Sequence, residues 1–189
     1  MKFCFPVLFL KTSNGYLRTF NIINPNFIRF KILTFMENAS AQELWTDFLN
    51  AKPNDVSENV PKVIHFCDNE KDANVCSELV NKEVKRASSH SLLGLQLRKE
   101  PLPKIGDLAI VTDWNGKAKT VIRTTGVKLI PYFAIREEHA RMEGEGDKSL
   151  AYWKKVHWDY YTRELAEFGR KPRESMIVVF EQFEKLYSK

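Results

Sequence analysis

Residues 107–127 read "DLAIVTDWNGKAKTVIRTTGV" and contain two runs rich in β-branched side chains. Between the runs stands Asn115-Gly116, a dipeptide that takes the positive φ angles of a tight type I′ hairpin turn. We therefore predict an antiparallel hairpin that turns at these two residues. The return strand continues through 118–132 and is expected to bend at Gly126.

Strand-like and helix-like segments alternate on both sides of this hairpin. Strands are predicted at 62–66 and 176–187 from their β-branched and aromatic content. Helices are predicted at 39–50 and 69–82 from apolar residues at helical spacing. A shorter helical candidate covers 88–98, "SSHSLLGLQLR". Strands with helices inserted between them predict an α+β fold with a small curled sheet or barrel.

A helix loaded with rings is predicted after "EGEGD", residues 143–147. Asp147 is the expected N-cap of this helix, which would run to about Phe168. A 3.6-residue period places Leu150, Trp153, His157, Tyr161 and Phe168 on one face. A histidine in that position is more often a packed core residue than a catalyst or a ligand. Packing gives no reason for the glycine-bounded acids before the helix.

Composition excludes several classes of protein. No run of residues approaches the roughly 18 apolar positions of a membrane-spanning helix. The three cysteines lack metal-ligand spacing, and free thiols in a reducing cytosol are the simplest interpretation. The four histidines also lack the spacing of a metal site, and no cofactor is implied. The chain is therefore expected to be cytoplasmic, with no membrane partner.

Charge is distributed unevenly along the chain. Residues 82–136 carry 11 basic and 4 acidic residues, whereas residues 36–81 carry 3 basic and 9 acidic ones. This basic middle segment would direct a phosphate-bearing ligand to one face if its charges also cluster in space. An ordinary mixed surface is the alternative.

The first 35 residues differ from the rest of the chain. They contain no acid and show no sustained helical or strand period. A helix-like sequence begins afresh at Met36, so we interpret 1–35 as upstream or disordered extension and 36–189 as the domain. A targeting segment and a structured extension remain the alternatives.

Three further stretches resemble a known family. They are "VKRASS" (84–89), "EPLPKIGDLAIVTDWNGKAKTVIRTTGV" (100–127) and "EEHARMEGEGDKSLAYWKKVHW" (137–158). Together they resemble the ASCH (activating signal cointegrator homology) domain family, and the third is characteristic of its small bacterial stand-alone members. The resemblance covers roughly residues 40–187.

That resemblance implies a PUA-like β-barrel, mostly antiparallel, with flanking helices and a cleft suited to RNA or nucleosides. One bacterial relative is described as a ribonuclease, and another removes the acetyl group from acetylated cytidine with a Lys-x-x-Thr motif and a downstream glutamate. Lys85 matches the lysine, Ser88 stands at the threonine position and Glu143 matches the glutamate. This chain departs from the pattern in having Ser for Thr, and Glu83 where glycine is usual.

The residues themselves can support amide hydrolysis. A lysine beside another cation and partly buried has a lowered pKa, so Lys85 next to Arg86 is a candidate base. Ser88 would be the nucleophile, with Ser89 as a competing hydroxyl, and Glu143 would protonate the leaving amine. The alternative assigns ordinary roles: a surface lysine, a helix-capping serine and a loop acid.

Two functions follow: a hydrolase acting on RNA or an acylated nucleoside, and a non-catalytic RNA-binding module that uses the same cleft. A regulatory protein that binds another small metabolite is a third. The oligomeric state is not predicted. The expected substrate-binding residues are basic, aromatic or polar groups near the three catalytic candidates: Arg86, Trp114, Arg123, Thr125, Asp147, Tyr152, Trp153 and His157.

Overall fold

The computed structural model describes residues 37–53 and 60–189. The predicted N-terminal extension, residues 1–35, and the predicted start at Met36 lie outside the described residues.

In the described part of the chain, five strands form one curled sheet. They are β1 (Lys62–Ile64), β2 (Ala87–Ser91), β3 (Leu108–Thr112), β4 (Ala118–Pro131) and β5 (Ile177–Ser188). The order across the sheet is β1-β3-β4-β5-β2, so β1 and β2 form the two edges of a half-barrel. All neighbouring strands are antiparallel except β1 and β3, which are parallel. The predicted α+β fold with a mostly antiparallel curled sheet is confirmed.

The predicted hairpin forms between β3 and β4, but its turn differs in type. Gly116 has a φ of 81°, whereas Asn115 is not among the residues with positive φ. Gly116 N–H donates to the carbonyl of Asp113 at 3.1 Å, and Asp113 N–H donates to Lys117 O at 3.0 Å. This pattern fits a turn in which only the glycine is left-handed. The Asp113 carboxylate stabilises the same turn by accepting from Lys117 N–H at 2.9 Å.

The long strand β4 changes its pairing register with β5 between Thr124 and Gly126. An extra residue at this position bends a strand and increases its twist. The predicted bend at Gly126 is therefore confirmed, and it helps to curl the sheet.

Within residues 37–53 and 60–189, five α-helices flank the sheet: α1 (Ala39–Ala51), α2 (Glu70–Asn81), α3 (Leu92–Leu97), α4 (Glu137–Glu143) and α5 (Leu150–Ala166). The predicted helix at 88–98 is wrong in its first half, where β2 pairs with β5 and α3 begins only at Leu92. Ser91 caps α3 by accepting from Gly94 N–H, so the serine-rich stretch ends a strand and starts a helix.

The ring-bearing helix α5 starts later than predicted. Its N-cap is Ser149, whose side chain accepts from Tyr152 N–H, while Asp147, two residues earlier, accepts from Ser149 N–H. The helix α4 directly before this loop was not predicted. It packs Ala140 beside Trp153 and Tyr161 of α5 in one buried cluster.

Both faces of the sheet are covered. Ile110 and Val111 are adjacent on β3 and therefore point to opposite faces. Ile110 packs with Trp45 and Phe48 of α1, and Val111 packs with Val80 of α2. No helix in the described part of the chain has the length and apolar character needed to cross a membrane.

Candidate functional site

A cavity of about 700 Å³ lies at the β2 edge of the sheet, between α2 and α5. The 65–69 loop before α2, strand β2, the end of α4 and the exposed side of α5 supply its walls. Its size is within the usual range for a small-molecule site. The three catalytic candidates, Lys85, Ser88 and Glu143, all line it.

Lys85 enters the cavity from the segment that joins α2 to β2. Its backbone N–H donates to Leu79 O at 3.1 Å, and the next residue, Arg86, bonds Met142 O at 2.8 Å, so the segment is fixed on both sides. The Lys85 side chain is only about 1% exposed. Its ammonium lies 2.6 Å from Glu145 Oε1 and 3.3 Å from Glu143 Oε2.

Glu143 is the last residue of α4 and is also buried. Gly144 ends the helix with a φ of 70°, and a Cβ there would lie 2.5 Å from the carbonyl oxygen of Val84. The chain therefore needs glycine at this junction, which presses the end of α4 against the segment that carries Lys85.

Several donors converge on the Glu143 carboxylate. Ser89 Oγ and Trp153 Nε1 each donate to Oε1 at 2.6 Å. Lys85 Nζ and His157 Nε2 approach Oε2 at 3.3 and 3.4 Å. Four surrounding side chains therefore orient this buried carboxylate.

These contacts determine the charge states of the central pair. Burial raises the pKa of Glu143, but His157, Lys85 and Ser89 outweigh it, so the pKa lies well below its ordinary value. Burial likewise lowers the pKa of Lys85, yet Glu145 and Glu143 hold that pKa above its ordinary value. The predicted lowering of the Lys85 pKa is therefore wrong, because two carboxylates lie closest to its ammonium. At neutral pH the pair is Lys85 ammonium and Glu143 carboxylate.

The two serines of "VKRASS" occupy different positions on β2. Ser89 is 7% exposed and donates to Glu143, whereas Ser88 is half-buried in the cavity wall and pairs with Glu181 of β5. Successive residues of a strand point to opposite sides, so only one of the two hydroxyls can face Glu143. The predicted contact of Glu143 with a serine therefore involves Ser89 and not Ser88.

His157 and Trp153 form a stacked pair against Glu143. Their ring centroids are 4.0 Å apart with an interplanar angle of 15°. His157 Nδ1 lies 2.9 Å from the Trp153 carbonyl, so Nδ1 carries a proton and donates it. Nε2 then faces the Glu143 carboxylate, 3.4 Å from Oε2.

Two of the expected substrate-binding residues, Tyr152 and His157, line the cavity. Trp153 lies behind it: the indole is 3% exposed, and His157 and Tyr132 pack against it. Trp153 is therefore not available to stack a base.

The remaining expected substrate-binding residues lie elsewhere. Trp114 packs against His65 with centroids 5.1 Å apart at the far hairpin turn. Arg123 pairs with Glu184 across β4 and β5 at 2.7 Å. Arg86, Thr125 and Asp147 are exposed and are not in the cavity wall. Their spacing in the sequence could not show that they lie outside the cavity, because these residues face away on the curled sheet or lie on the outer side of a loop.

The cavity is acidic. Its walls contain six carboxylates but only two cationic side chains, Lys85 and Arg163. The basic excess of residues 82–136 does not dominate here, since Arg98 is paired with Glu100 and with Glu164 of the wall, and Lys119 is paired with Glu78. The basic middle segment therefore does not form a basic face at this cavity, and Arg123 is not in its wall. The six carboxylates are Asp68, Asp72, Glu143, Glu145, Asp159 and Glu164.

Sequence reasoning missed Glu145, which makes the shortest contact to Lys85. The available signal was the "EGEGD" stretch, in which two glutamates flank Gly144. Among the described residues, no group of three or more histidine, cysteine or acidic side chains is arranged to hold a metal ion.

Comparison with known proteins shows which family has this fold. A family model described as ASCH domain matches residues 62–187. The chain is 34% identical to an ASCH domain from Lactobacillus crispatus JV V101, whose crystal structure it matches with a TM-score of 0.74 over 81% of this chain and 98% of that one. A second crystal structure, of a protein from Enterococcus faecalis V583, is 28% identical with a TM-score of 0.70, over 77% of this chain and 87% of that one.

No curated protein matches the chain. The ASCH fold is PUA-like and is generally associated with RNA binding. The family model covers most of the chain, and the first of the two crystal structures is matched over nearly its whole length. This chain belongs to the ASCH domain family.

Proposed function

We propose that this protein hydrolyses an amide bond in a small acylated nucleoside. The observation that carries the proposal is the buried Lys85–Glu143 ion pair with the Ser89 hydroxyl 2.6 Å from the same carboxylate. A hydroxyl bonded to a carboxylate beside a fixed positive charge is the arrangement that acyl transfer requires.

The contact of Ser89 with Glu143 supports an exchange of the roles predicted from sequence. Glu143, as a carboxylate, accepts the proton of Ser89 while Ser89 Oγ attacks the carbonyl carbon. Lys85, as a permanent cation, stabilises the oxyanion that develops on the carbonyl oxygen. Glu143 then gives its proton to the departing amine, and water releases the acyl group from Ser89 by the same steps in reverse.

His157 supports the same cycle from the opposite side of Glu143. Its Nε2 lies 3.4 Å from the oxygen that also faces Lys85. The His157 ring also stacks on Trp153, which donates to the other carboxylate oxygen, so the two rings together fix the orientation of Glu143. His157 lines the cavity as well, so its ring is placed to contact the substrate.

The alternative, a non-catalytic RNA-binding module, fits this cavity less well. RNA binding depends on cationic groups that neutralise phosphates. Here the carboxylates outnumber the cations, and one cation, Arg163, is already paired with Asp68 at 2.8 Å. An uncharged nucleoside avoids this repulsion.

The test compares the two serines with acetylated cytidine as the probe. Ser89→Ala should abolish most of the turnover, whereas Ser88→Ala should retain most of it because Ser88 does not contact Glu143. Release of cytidine is followed by chromatography, with circular dichroism as the control for folding. Loss of turnover in Ser88→Ala but not in Ser89→Ala would return the nucleophile to the position that matches the family motif. No cytidine release by the wild type, together with binding of an RNA oligonucleotide, would favour the binding module.

A further inference from the structure

Two cysteines meet in the wall of the cavity. Cys67 belongs to the 65–69 loop that joins β1 to α2, and Cys76 lies in the middle of α2. Their sulfur atoms are 3.6 Å apart, and both residues line the cavity. Cys67 is held at a φ of 64°, a conformation that a non-glycine residue rarely adopts. The loop therefore takes a strained conformation at the residue that contacts Cys76.

We propose that Cys67 and Cys76 are a reversible oxidation site that forms a disulfide and tightens the entrance of the cavity. The two sulfurs need to approach by only about 1.5 Å to reach the bond length near 2.05 Å. A loop residue and a helix residue can make that movement without unfolding the sheet. The proposal does not rest on the hydrolase activity.

The oxidant is hydrogen peroxide. The Cys67 thiol loses its proton, and its sulfur attacks one peroxide oxygen; the O–O bond breaks, Cys67 becomes a sulfenic acid, and the leaving hydroxide takes up the proton as the first water. The Cys76 sulfur then attacks the Cys67 sulfur, the S–O bond breaks, and the hydroxyl leaves with the Cys76 proton as a second water. Two thiols and one peroxide thus give one disulfide and two waters.

The surroundings assign the order of these steps. Cys67 is half-exposed, whereas Cys76 is buried. The contact with Cys67 and, after it, burial raise the pKa of Cys76, so Cys76 remains a thiol. Reactivity follows thiolate content and access, so Cys67 is the residue that meets the oxidant and Cys76 is the resolving partner.

The disulfide affects the entrance because of the residue next to Cys67. Asp68 accepts from Arg163 Nε at 2.8 Å and from Nη2 at 3.1 Å, and both residues line the cavity. This pair joins the 65–69 loop to α5 on the solvent side of the cavity wall, with 56% of the Arg163 side chain and 37% of the Asp68 side chain exposed. A ligand enters when the loop moves and the exposed pair separates. A bond from Cys67 to α2 restricts that movement, so the oxidised protein admits ligand more slowly.

The test uses the full chain carrying Cys4→Ser, so that Cys67 and Cys76 are its only thiols. After treatment with hydrogen peroxide, titration should find no free thiol, and mass spectrometry should find an intramolecular disulfide that dithiothreitol reverses. Backbone amide exchange in 65–69 should slow by about tenfold, because a cross-link removes open conformations of the loop. The matched controls, Cys67→Ser and Cys76→Ser in the same background, should show no such slowing.

Three results would overturn the proposal. The first is two titratable thiols after peroxide treatment, and the second is a disulfide only between two molecules. The third is an intramolecular disulfide with unchanged amide exchange in 65–69, which would show that the bond forms but does not restrict the entrance.

Discussion

Lys85 and Glu143 are charged groups with almost no exposure to water. Their burial determines both the free energy needed to desolvate them and the charges that they present in the cavity. Removing two charges from water is expensive, and the cost is offset only when further hydrogen bonds satisfy both groups. Ser89, Trp153 and His157 supply those bonds to Glu143, while Glu145 supplies one to Lys85. The site is therefore a pre-organised charge arrangement.

Replacing Glu143 with glutamine tests both roles of this residue. Glutamine keeps the shape but cannot take a proton from Ser89, so turnover should fall by about 10² to 10⁴. Stability should fall by about 3 kcal/mol, the lower part of the range for breaking a buried pair, because Glu145 still faces Lys85. Denaturant unfolding and cytidine release measure the two effects. A Glu143→Gln protein with full turnover would remove Glu143 from the mechanism.

The pH dependence of stability has a defined sign for this pair. Its neighbours lower the pKa of Glu143 below its ordinary value of 4.5, so its contribution is complete above pH 4.5 and is lost as pH falls through the folded pKa. The raised pKa of Lys85 makes the Lys85 contribution complete below pH 10.5 and lost as pH rises further.

The difference in unfolding free energy between wild type and Glu143→Gln should therefore be constant from about pH 5 to 10 and shrink in acid. Urea unfolding at a series of pH values measures it. A difference that already shrinks between pH 7 and 5 would contradict the ionised state of Glu143.

The helix α4 and the loop after it bring Glu143 and Glu145 into contact with Lys85, which lies 58 and 60 positions earlier in the chain. The short helix α4 was not recognised from sequence because "EEHARME" offers only one turn of apolar spacing before the glycines. Likewise, β2 was predicted to be helical because its serines are good helix caps, whereas pairing with β5 determines its structure. The hairpin and β5 were predictable, since their alternation is local and strong.

The junction after α4 gives a test with a matched control. Gly144→Ala places a Cβ against the Val84 carbonyl in a left-handed conformation, whereas Gly169→Ala has the same left-handed strain with nothing within 4 Å. Gly169→Ala should cost about 1 kcal/mol, and Gly144→Ala should cost a further 1–3 kcal/mol or so from overpacking. Thermal unfolding measures both. Equal costs would show that the approach of α4 to the Lys85 segment is not tight.

At the scale of the whole molecule, α1 lies outside residues 62–187, the part that the family model matches, yet it forms part of the core. Phe48 of α1 is fully buried against β3 and β4, whereas Phe133 is 61% exposed. Phe48→Ala should lower the unfolding free energy by about 3–5 kcal/mol, and Phe133→Ala by less than about 0.5 kcal/mol. Chemical denaturation of the two variants tests whether α1 belongs to the domain. Equally small losses of unfolding free energy in both variants would show that α1 is not part of the folded domain.

The family and the identity of Lys85 and Glu143 as candidates were readable from the sequence, but the charge of the cavity was not. Charge in sequence counts every lysine and arginine equally, whereas the fold pairs Lys119 and Arg123 with Glu78 and Glu184, which lie outside the cavity wall. Likewise, the local order Lys-Arg-Ala-Ser-Ser does not reveal which serine faces Glu143 until the strand is paired. These properties depend on long-range packing.

The acidic cavity predicts selection against phosphorylated substrates. Acetylated cytidine should be hydrolysed with a kcat/KM at least about tenfold above that of its 5′-monophosphate at low salt, because the phosphate enters a region in which carboxylates outnumber cations. The ratio of the two kcat/KM values should fall as the salt concentration rises, since the Debye length falls from about 10 Å at 0.1 M to about 3 Å at 1 M. Asp72→Asn, which removes one wall carboxylate without touching Lys85, should lower this ratio as well. Steady-state kinetics at several salt concentrations measure these ratios. A preference for the monophosphate that weakens with salt would instead mean that the cations of the cavity bind phosphate, which would favour RNA as the ligand.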